Sequence, residues 1–565
     1  MRVLGISAYH QDSAAALVID GRPVAAAQEG LFTKTPLDAS LPLRAARSCL
    51  SRAGLNGPDL DRVVFYEKPL RRFERTLATA LRAFPGGGRG FAREASRWLG
   101  DRLWLKGRLA DELGVDPKKI QFVEHLASHA ACAFYLSPIQ RAAVLVADDV
   151  GEWATTAIFK AGGTGLELVG EAHLPHSLGL VVSAFVQFLG FDPGKDDEYL
   201  GDLAGHGTPR FADAVRELVG ADEDASPAIA RGHFNFGEGV RQLWTEEMAR
   251  RFGPARVPGS PLRLGGDDAR DADLAASLQQ VLEERIVALA QKALERTGEE
   301  DLCFAGVLAR NRGVNTALLE RSGARSLFVP PEPADAGGAL GAALYVHHAE
   351  ASAERNGAPA ALFLGETPGS VSEEEPAASG QKPEALLPAL LEGRPVGWVR
   401  GSLEFAPESL FHRCVLIDPR AESARENLLG ALQRTEPFLA CRAAVPAERL
   451  GEFVELPAGG AGLARLAQLQ LPVHEALRAA APAAVLPDGT ARIQAVSRDE
   501  DPELHKLLEL FGAERGAPVL LLETLRLRGA VVPRSDHEAI DAFGRSQLAA
   551  LLVDDRLFSA PESAA

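Results

Sequence analysis

The stretches LGISAYHQDSAAALVIDG (residues 4–21) and AVLVADDVGEWATTAIF (residues 143–159) decide the fold. Each runs as a strand of small and β-branched residues, a polar turn carrying aspartate, and a second apolar strand. The first continues into Asp20-Gly21, a dipeptide that turns β-hairpins. Small residues around Asp12 and Asp148 let backbone N–H groups approach a phosphate closely. One plan used twice, about 140 residues apart, predicts a duplicated nucleotide-binding α/β fold. Two ordinary hairpins in a mixed sheet are the simpler alternative.

Between the hairpins lies FVEHLASHAA, with His125 and His129 four apart. On a helix these positions share a face, so both imidazoles can reach one atom. Asp148 ends the strand of the second hairpin, and Asp335 opens the glycine-rich PADAGGALGAAL. Together they suit a His₂Asp₂ shell for a hard or borderline metal such as iron or zinc. The same spacing also suits a histidine pair that holds no metal.

The chain has 565 residues, 46% of them hydrophobic, enough for several buried cores. A net charge of −17 argues against broad binding to nucleic acid or to a membrane surface. Arginines, Phe and Trp do cluster between Arg71 and Arg108, and read as an amphipathic helical insert with a solvated face. The five cysteines show no CxxC spacing, as expected of reduced cysteines in a cytoplasmic protein. No basic and apolar leader opens the sequence, and no apolar run reaches the roughly 18 residues of a membrane span.

From about His348 to Pro383 the composition turns to Ala, Glu, Ser, Pro and Gly, predicting a linker over 348–383. It separates an amino-terminal domain, 1–347, from an α/β domain over 384–556, with a disordered tail over 557–565. The run Ala272–Gly298 predicts a long helix burying Leu278, Leu282, Ile286, Leu289 and Ala293. Ser177 reads as a helix N-cap, and Glu152 as support for the second hairpin.

With these motifs in order, the chain resembles the carbamoyltransferases of the nodulation-protein and antibiotic O-carbamoyltransferase type. The resemblance rests on residues 4–21, AAAQE (25–29), VVFYEKPL (63–70), FVEHLASHAACAFYLSP (122–138), VADDVGEWATT (146–156) and PHSLGLVVSAF (175–185). It continues through FAGVLARN (304–311), PADAGGALGAAL (333–344), GWVRGSLEFAPESL (397–410), DGTARIQAVS (488–497) and PVLLLETLRLRG (518–529). It implies an amino-terminal domain on the duplicated actin and sugar-kinase (ASKHA) plan and a YrdC-like carboxy-terminal domain. The second domain would activate carbamoyl phosphate with ATP as carbamoyl-adenylate, and the first would pass the carbamoyl group to a small-metabolite hydroxyl or amine. The ligands of iron, or of another divalent metal, would be His125, His129, Asp148 and Asp335. His10 and Asp12 would be catalytic; Ser13, Gly151, Asn311, Gly337, Gly338, Arg413, Arg492 and Arg528 would contact the cofactor.

Several motifs depart from the family pattern. Glu-Tyr-Lys-x-Met-Gly-Leu-Ala stands here as Glu198-Tyr-Leu-Gly-Asp-Leu-Ala204, without the lysine, a charge-assisted phosphate contact of roughly 1.5–3 kcal/mol; Lys195 is a nearby substitute. Ala-Gly-Gly-Val is Ala305-Gly-Val-Leu308. In the second half, Gly-Pro-Arg becomes Ala406-Pro-Glu408, and Asn-Thr-Ser-Phe-Asn becomes Leu522-Glu-Thr-Leu-Arg526. Glu408 and Glu523 would oppose a phosphate. The alternative to a complete enzyme is therefore a degenerate homologue, noncatalytic or transfer-only, working as the partner of an intact paralogue or as a homo-oligomer.

Overall fold

The computed structural model describes residues 1–82, 98, 102–236, 241–262, 264, 269–351, 355, 362–367 and 377–560. Two compact units divide the chain: Met1–Glu29 with Leu37–Ala361, and Gly30–Pro36 with Leu362–Ala565. Gly30–Pro36, placed by sequence inside the amino-terminal domain, thus belongs to the second unit. Much of the expected linker (352–354, 356–361 and 368–376) lies outside the described residues. So does 561–565 of the expected tail, but 557–559 are sheet, not tail, because the last strand runs over Arg556–Ser559.

The first unit repeats one topology. β1 (Arg2–Ser7), β2 (Ala14–Ile19) and β3 (Arg22–Gln28) pair antiparallel, and β4 (Arg62–Phe65) and β5 (Ile120–Phe122) add in parallel beyond β1. The second sheet has β6 (Arg141–Ala147), β7 (Ala154–Gly162) and β8 (Gly165–His173) antiparallel, with β11 (Asp301–Ala305) and β12 (Ser326–Phe328) parallel beyond β6. Strand order is β3-β2-β1-β4-β5 in one and β8-β7-β6-β11-β12 in the other. β9 (Val219–Ala221) and β10 (Pro227–Ile229) form a separate ladder. The two quoted hairpins are thus the same corner of a duplicated sheet. Asp20 and Gly21 both have positive φ, 49° and 77°, as the expected tight hairpin turn requires.

Helices α1 (Pro69–Arg82), α2 (His125–Leu136), α3 (Arg270–Thr297), α4 (Arg312–Arg321) and α5 (Asp335–Ala351) belong to this unit. The predicted apolar face of α3 is buried at all five positions. Glycine makes α5 thin enough to lie between β1 and α2. A methyl on Gly5 of β1 would collide with Ala339 O, and one on Gly341 with Ser128 O. In the basic run, residues 83–97 and 99–101 lie outside the described residues. Arg72 and Arg75 of α1 are buried rather than solvated, because Glu67 and the Gly151 carbonyl take their guanidinium protons.

The second unit carries an eight-stranded mixed sheet, ordered β16-β17-β15-β18-β14-β13-β19-β20. Its strands are β13 (Val396–Val399), β14 (Arg413–Ile417), β15 (Arg442–Pro446), β16 (Leu469–Pro472), β17 (Thr490–Val496), β18 (Leu520–Thr524), β19 (Ala550–Val553) and β20 (Arg556–Ser559). Trp398, Leu416, Leu508, Phe511 and Leu522 are among the residues of its core. All five cysteines are buried and unbridged. Among the described residues no helix is long and apolar enough to cross a membrane.

Candidate metal centre

The periodicity of α2 points both histidines at the end of β6. His125 Nε2 lies 2.9 Å and His129 Nε2 3.1 Å from Asp148 Oδ2, and the two nitrogens are 3.2 Å apart. Asp335, at the start of α5, brings Oδ1 to 3.6 Å from His125 and 3.9 Å from His129. Donors around a tetrahedral ion at ~2.1 Å stand ~3.4 Å apart, and these edges bracket that value. Both Nε2 atoms thus face one point, while Asp335 Oδ1 is buried without a hydrogen-bond partner. The donor set fits a divalent cation. Asp148 is held for this role: its Oδ1 accepts from Val307 N (3.1 Å) and its N–H donates to Thr155 O.

Burial would lower the pKa of His125, but the hydrogen bond and charge of Asp148 and the charge of Asp335 raise it to about 9. Asp148 works against its own burial and is held well below the usual carboxylate range by His129 and His125. Glu152 accepts from His125 N (3.2 Å) and Lys68 N (2.7 Å), tying the second hairpin to α2. Glu152 therefore supports the start of the histidine helix.

One pocket is lined by His10, Asp12, His125, Asp148, Asp149, Arg310 and Asp335 among others. His10 and Asp12 are thus brought to the metal-ligand cluster. His10 Nε2 lies 3.6 Å from Glu67, which is paired with Arg72 at 2.6 Å. Burial, then the Arg72 charge, lowers the pKa of His10. Burial, then Glu332, raises Asp12 to about 7; burial, then Asp197 and Asp148, also raises Asp149. Sequence reasoning assigned no role to Glu67, Asp149, Arg310 or Glu332. Glu67 stood in a quoted motif, VVFYEKPL, but nothing in that motif names its partner. Lys195 does not replace the missing lysine at the pocket: it is exposed and bound to Asp192.

The expected cofactor contacts separate. Gly337 and Gly338 allow close packing: a methyl would meet Glu332 O at one and the Tyr66 ring at the other. Gly151 likewise packs on Leu126 and His125. Asn311 caps α4 by accepting from Val314 N (2.9 Å) and pairs with Gln279. Ser13 is buried outside the pocket lining. Ser177 caps its helix through Leu180 N, as the sequence predicts.

In the second unit Arg413 is fully buried and donates to the carbonyls of Arg400, Gly401, His412 and Pro533. Its donors are directed to main chain. Arg528 is exposed and holds Thr435 and Glu436. Arg492 lies 3.7 Å from Glu408, and Glu523 3.6 Å from Arg434. The two acids expected to oppose a phosphate thus each face an arginine.

The chain matches the models "Carbamoyltransferase N-terminus" over residues 2–344 and "Carbamoyltransferase C-terminus" over residues 388–560. It is 35% identical to an uncharacterized protein of Synechocystis sp., with 98% of this chain and 96% of that one covered. It is 29% identical to the nodulation protein NolNO of Sinorhizobium fredii, covering 97% and 79%. It is 28% identical to a 3'-hydroxymethylcephem-O-carbamoyltransferase of Amycolatopsis lactamdurans, covering 57% and 60%. Both halves and their order agree with the motifs and the duplicated sheet, and the chain belongs to the carbamoyltransferase family.

Proposed function

We propose that the first unit transfers a carbamoyl group to the hydroxyl or amine of a small metabolite, in the pocket beside His125, His129, Asp148 and Asp335. The convergence of those four side chains next to Asp12 carries the reading. A divalent metal there, iron or zinc, would supply Lewis acidity toward the carbamoyl carbonyl. Asp12, its pKa raised to about 7, is suited to take the proton of the attacking hydroxyl near neutral pH. His10, its pKa lowered, stands as a neutral imidazole that can position the acceptor. The hydroxymethyl acceptor named for the Amycolatopsis relative supports an alcohol as the substrate class. The donor would be carbamoyl-adenylate, made from carbamoyl phosphate and ATP on the mixed sheet of the second unit, which we read as YrdC-like.

The test has two parts. Elemental analysis of the purified protein is compared with the His125→Ala/His129→Ala double variant; equal metal content would end the metal assignment. Acceptor alcohols are then incubated with protein, carbamoyl phosphate and ATP, and examined by mass spectrometry for carbamoyl esters.

One observation favours a second reading, a transfer half fed by an intact paralogue. The guanidinium of Arg413 is spent on main-chain carbonyls and cannot also hold a phosphate. In that case carbamoyl transfer requires a partner recovered by pull-down. Ordinary turnover by the isolated protein would exclude it.

A further inference from the structure

His10 and Glu67 come from neighbouring strands. β1 and β4 run parallel with Ile6 opposite Phe65, and Tyr66 N donates to Ile6 O at 3.0 Å. His10 lies just past the end of β1 and Glu67 just past the end of β4, so the sheet sets them side by side. The turn carrying His10 is pinned at both ends: Tyr9 N donates to Ala39 O (3.0 Å) and Ser13 N to Asp38 O (2.7 Å). Tyr9 and Asp12 flank His10 in left-handed backbone, with φ of 73° and 53°. Non-glycine residues hold that conformation only where the surroundings impose it, so the presentation of His10 is built into the fold.

Glu67 is 1% exposed, and an acid so buried requires a cation. Arg72, in the first turn of α1, supplies it, with Nη1 at 2.6 Å from Oε2. The same Oε2 lies 3.6 Å from His10 Nε2, a nitrogen that is buried and has no hydrogen-bond partner. That separation is just beyond a hydrogen bond, and bonds of this kind are often long until substrate binds. Burial opposes the charge of Glu67, but Arg72 and then His10 outweigh it and hold its pKa below the usual carboxylate range. An ionised carboxylate only accepts, so whatever faces it must bring the proton. On its other side the His10 ring stands 5.3 Å from the ring of His125, which keeps it beside the metal-ligand cluster.

We infer that Glu67 is a positioning residue: it accepts the Nε2 proton of His10, fixes the imidazole in that tautomer, and leaves Nδ1 to accept from the hydroxyl or amine of the bound acceptor. Arg72 acts one step further back, by keeping Glu67 ionised and in place. The inference rests on the reading of His10 as the group that positions the acceptor. A Glu67 that served only as counter-ion to Arg72 would leave His10 free to carry its proton on either nitrogen.

Nitrogen-15 NMR of the histidine-labelled full chain tests it, with His10→Ala identifying the His10 signals. In wild type the neutral ring should carry its proton on Nε2. Glu67→Gln replaces a charge-assisted acceptor with a weaker, neutral one, and the two tautomers should then mix. Should Glu67→Gln fold poorly, Glu67→Leu/Arg72→Met removes both buried charges together and should give the same mixing. With a supplied carbamoyl donor and an alcohol, Glu67→Gln should lower kcat about tenfold or more while metal content stays unchanged. A wild-type tautomer pattern in both variants, or an unchanged kcat in Glu67→Gln, would show a mere counter-ion and overturn the inference. Tautomer mixing without transfer by any form of the protein would sink the carbamoyl reading instead, and leave the hold of Glu67 on His10 standing.

Discussion

Stripped of metal, the protein should show a pH-dependent stability set by His125. The contacts of Asp148 and Asp335 overcome burial and move this imidazole from 6.5 to about 9. A difference of that size favours the folded imidazolium by about 3 kcal/mol. A group whose folded-state pKa is raised contributes fully below its unfolded value and loses that contribution as pH rises through the folded value. The window therefore opens at 6.5 and closes near 9. The depressed pKa of Asp148 is the other face of the same contact and adds nothing separate. Chelator-treated protein should lose about 3 kcal/mol of unfolding free energy across this window, in the urea transition that added metal shifts. Metal displaces the proton, so the loaded protein should show a flatter profile. Asp148→Asn removes the main cause of the shift and should flatten the metal-free profile as well. A flat wild-type profile, or an unchanged slope in Asp148→Asn, would refute the electrostatic account of the cluster.

Asp12→Asn should lower carbamoyl transfer from a supplied donor about 100-fold or more, and should abolish the rise in kcat/KM through pH about 7; a retained rise assigns the base elsewhere. Gly341→Ala drives a methyl into Ser128 O and should cost about 1–3 kcal/mol, read in the same metal-sensitive transition. Arg413→Met removes the guanidinium donors from four carbonyls, of which the contacts to Arg400 O and Pro533 O are buried, at about 1–3 kcal/mol for each buried carbonyl where no water replaces the donor, while His412 O keeps the N–H of Arg400. It should lower the stability of the second unit and leave metal content unchanged, whereas a cofactor-binding arginine would show little effect on stability.

Local periodicity made the convergence of these side chains legible. His125 and His129 are one helical turn apart, and Asp148 falls where an apolar strand ends, so short windows of sequence carried the assignment. The same holds for the Asp20-Gly21 turn and the buried face of α3. At glycine the sequence does not say what comes close to the missing side chain. At Gly337, Gly338 and Gly151 an added methyl would meet protein atoms. Long-range partners were illegible for a related reason. Arg310 meets Glu332 across a turn of chain, Arg75 meets the Gly151 carbonyl from 76 residues away, and Gly30–Pro36 joins the second unit. None of these leaves a periodic trace.

Charge compensation is uneven along the chain, and it fails at one pocket. In the second unit buried or half-buried arginines meet acids of the same unit: Arg400 meets Asp501, Arg434 meets Glu523, and Arg442 and Arg492 share Glu408. In the first unit Asp12, Asp148, Asp149 and Asp335 crowd one pocket whose lining offers Arg310 and two histidines in return. The raised pKa of Asp12 and of Asp149 records that imbalance, since burial among like charges disfavours ionisation. Crowded carboxylates weaken a fold unless a cation arrives, so stability alone does not account for them. The excess negative charge sits where His125 and His129 converge. Binding of a divalent cation there would relieve the repulsion, lower Asp12 toward an ordinary carboxylate, and leave it ionised beside the bound acceptor.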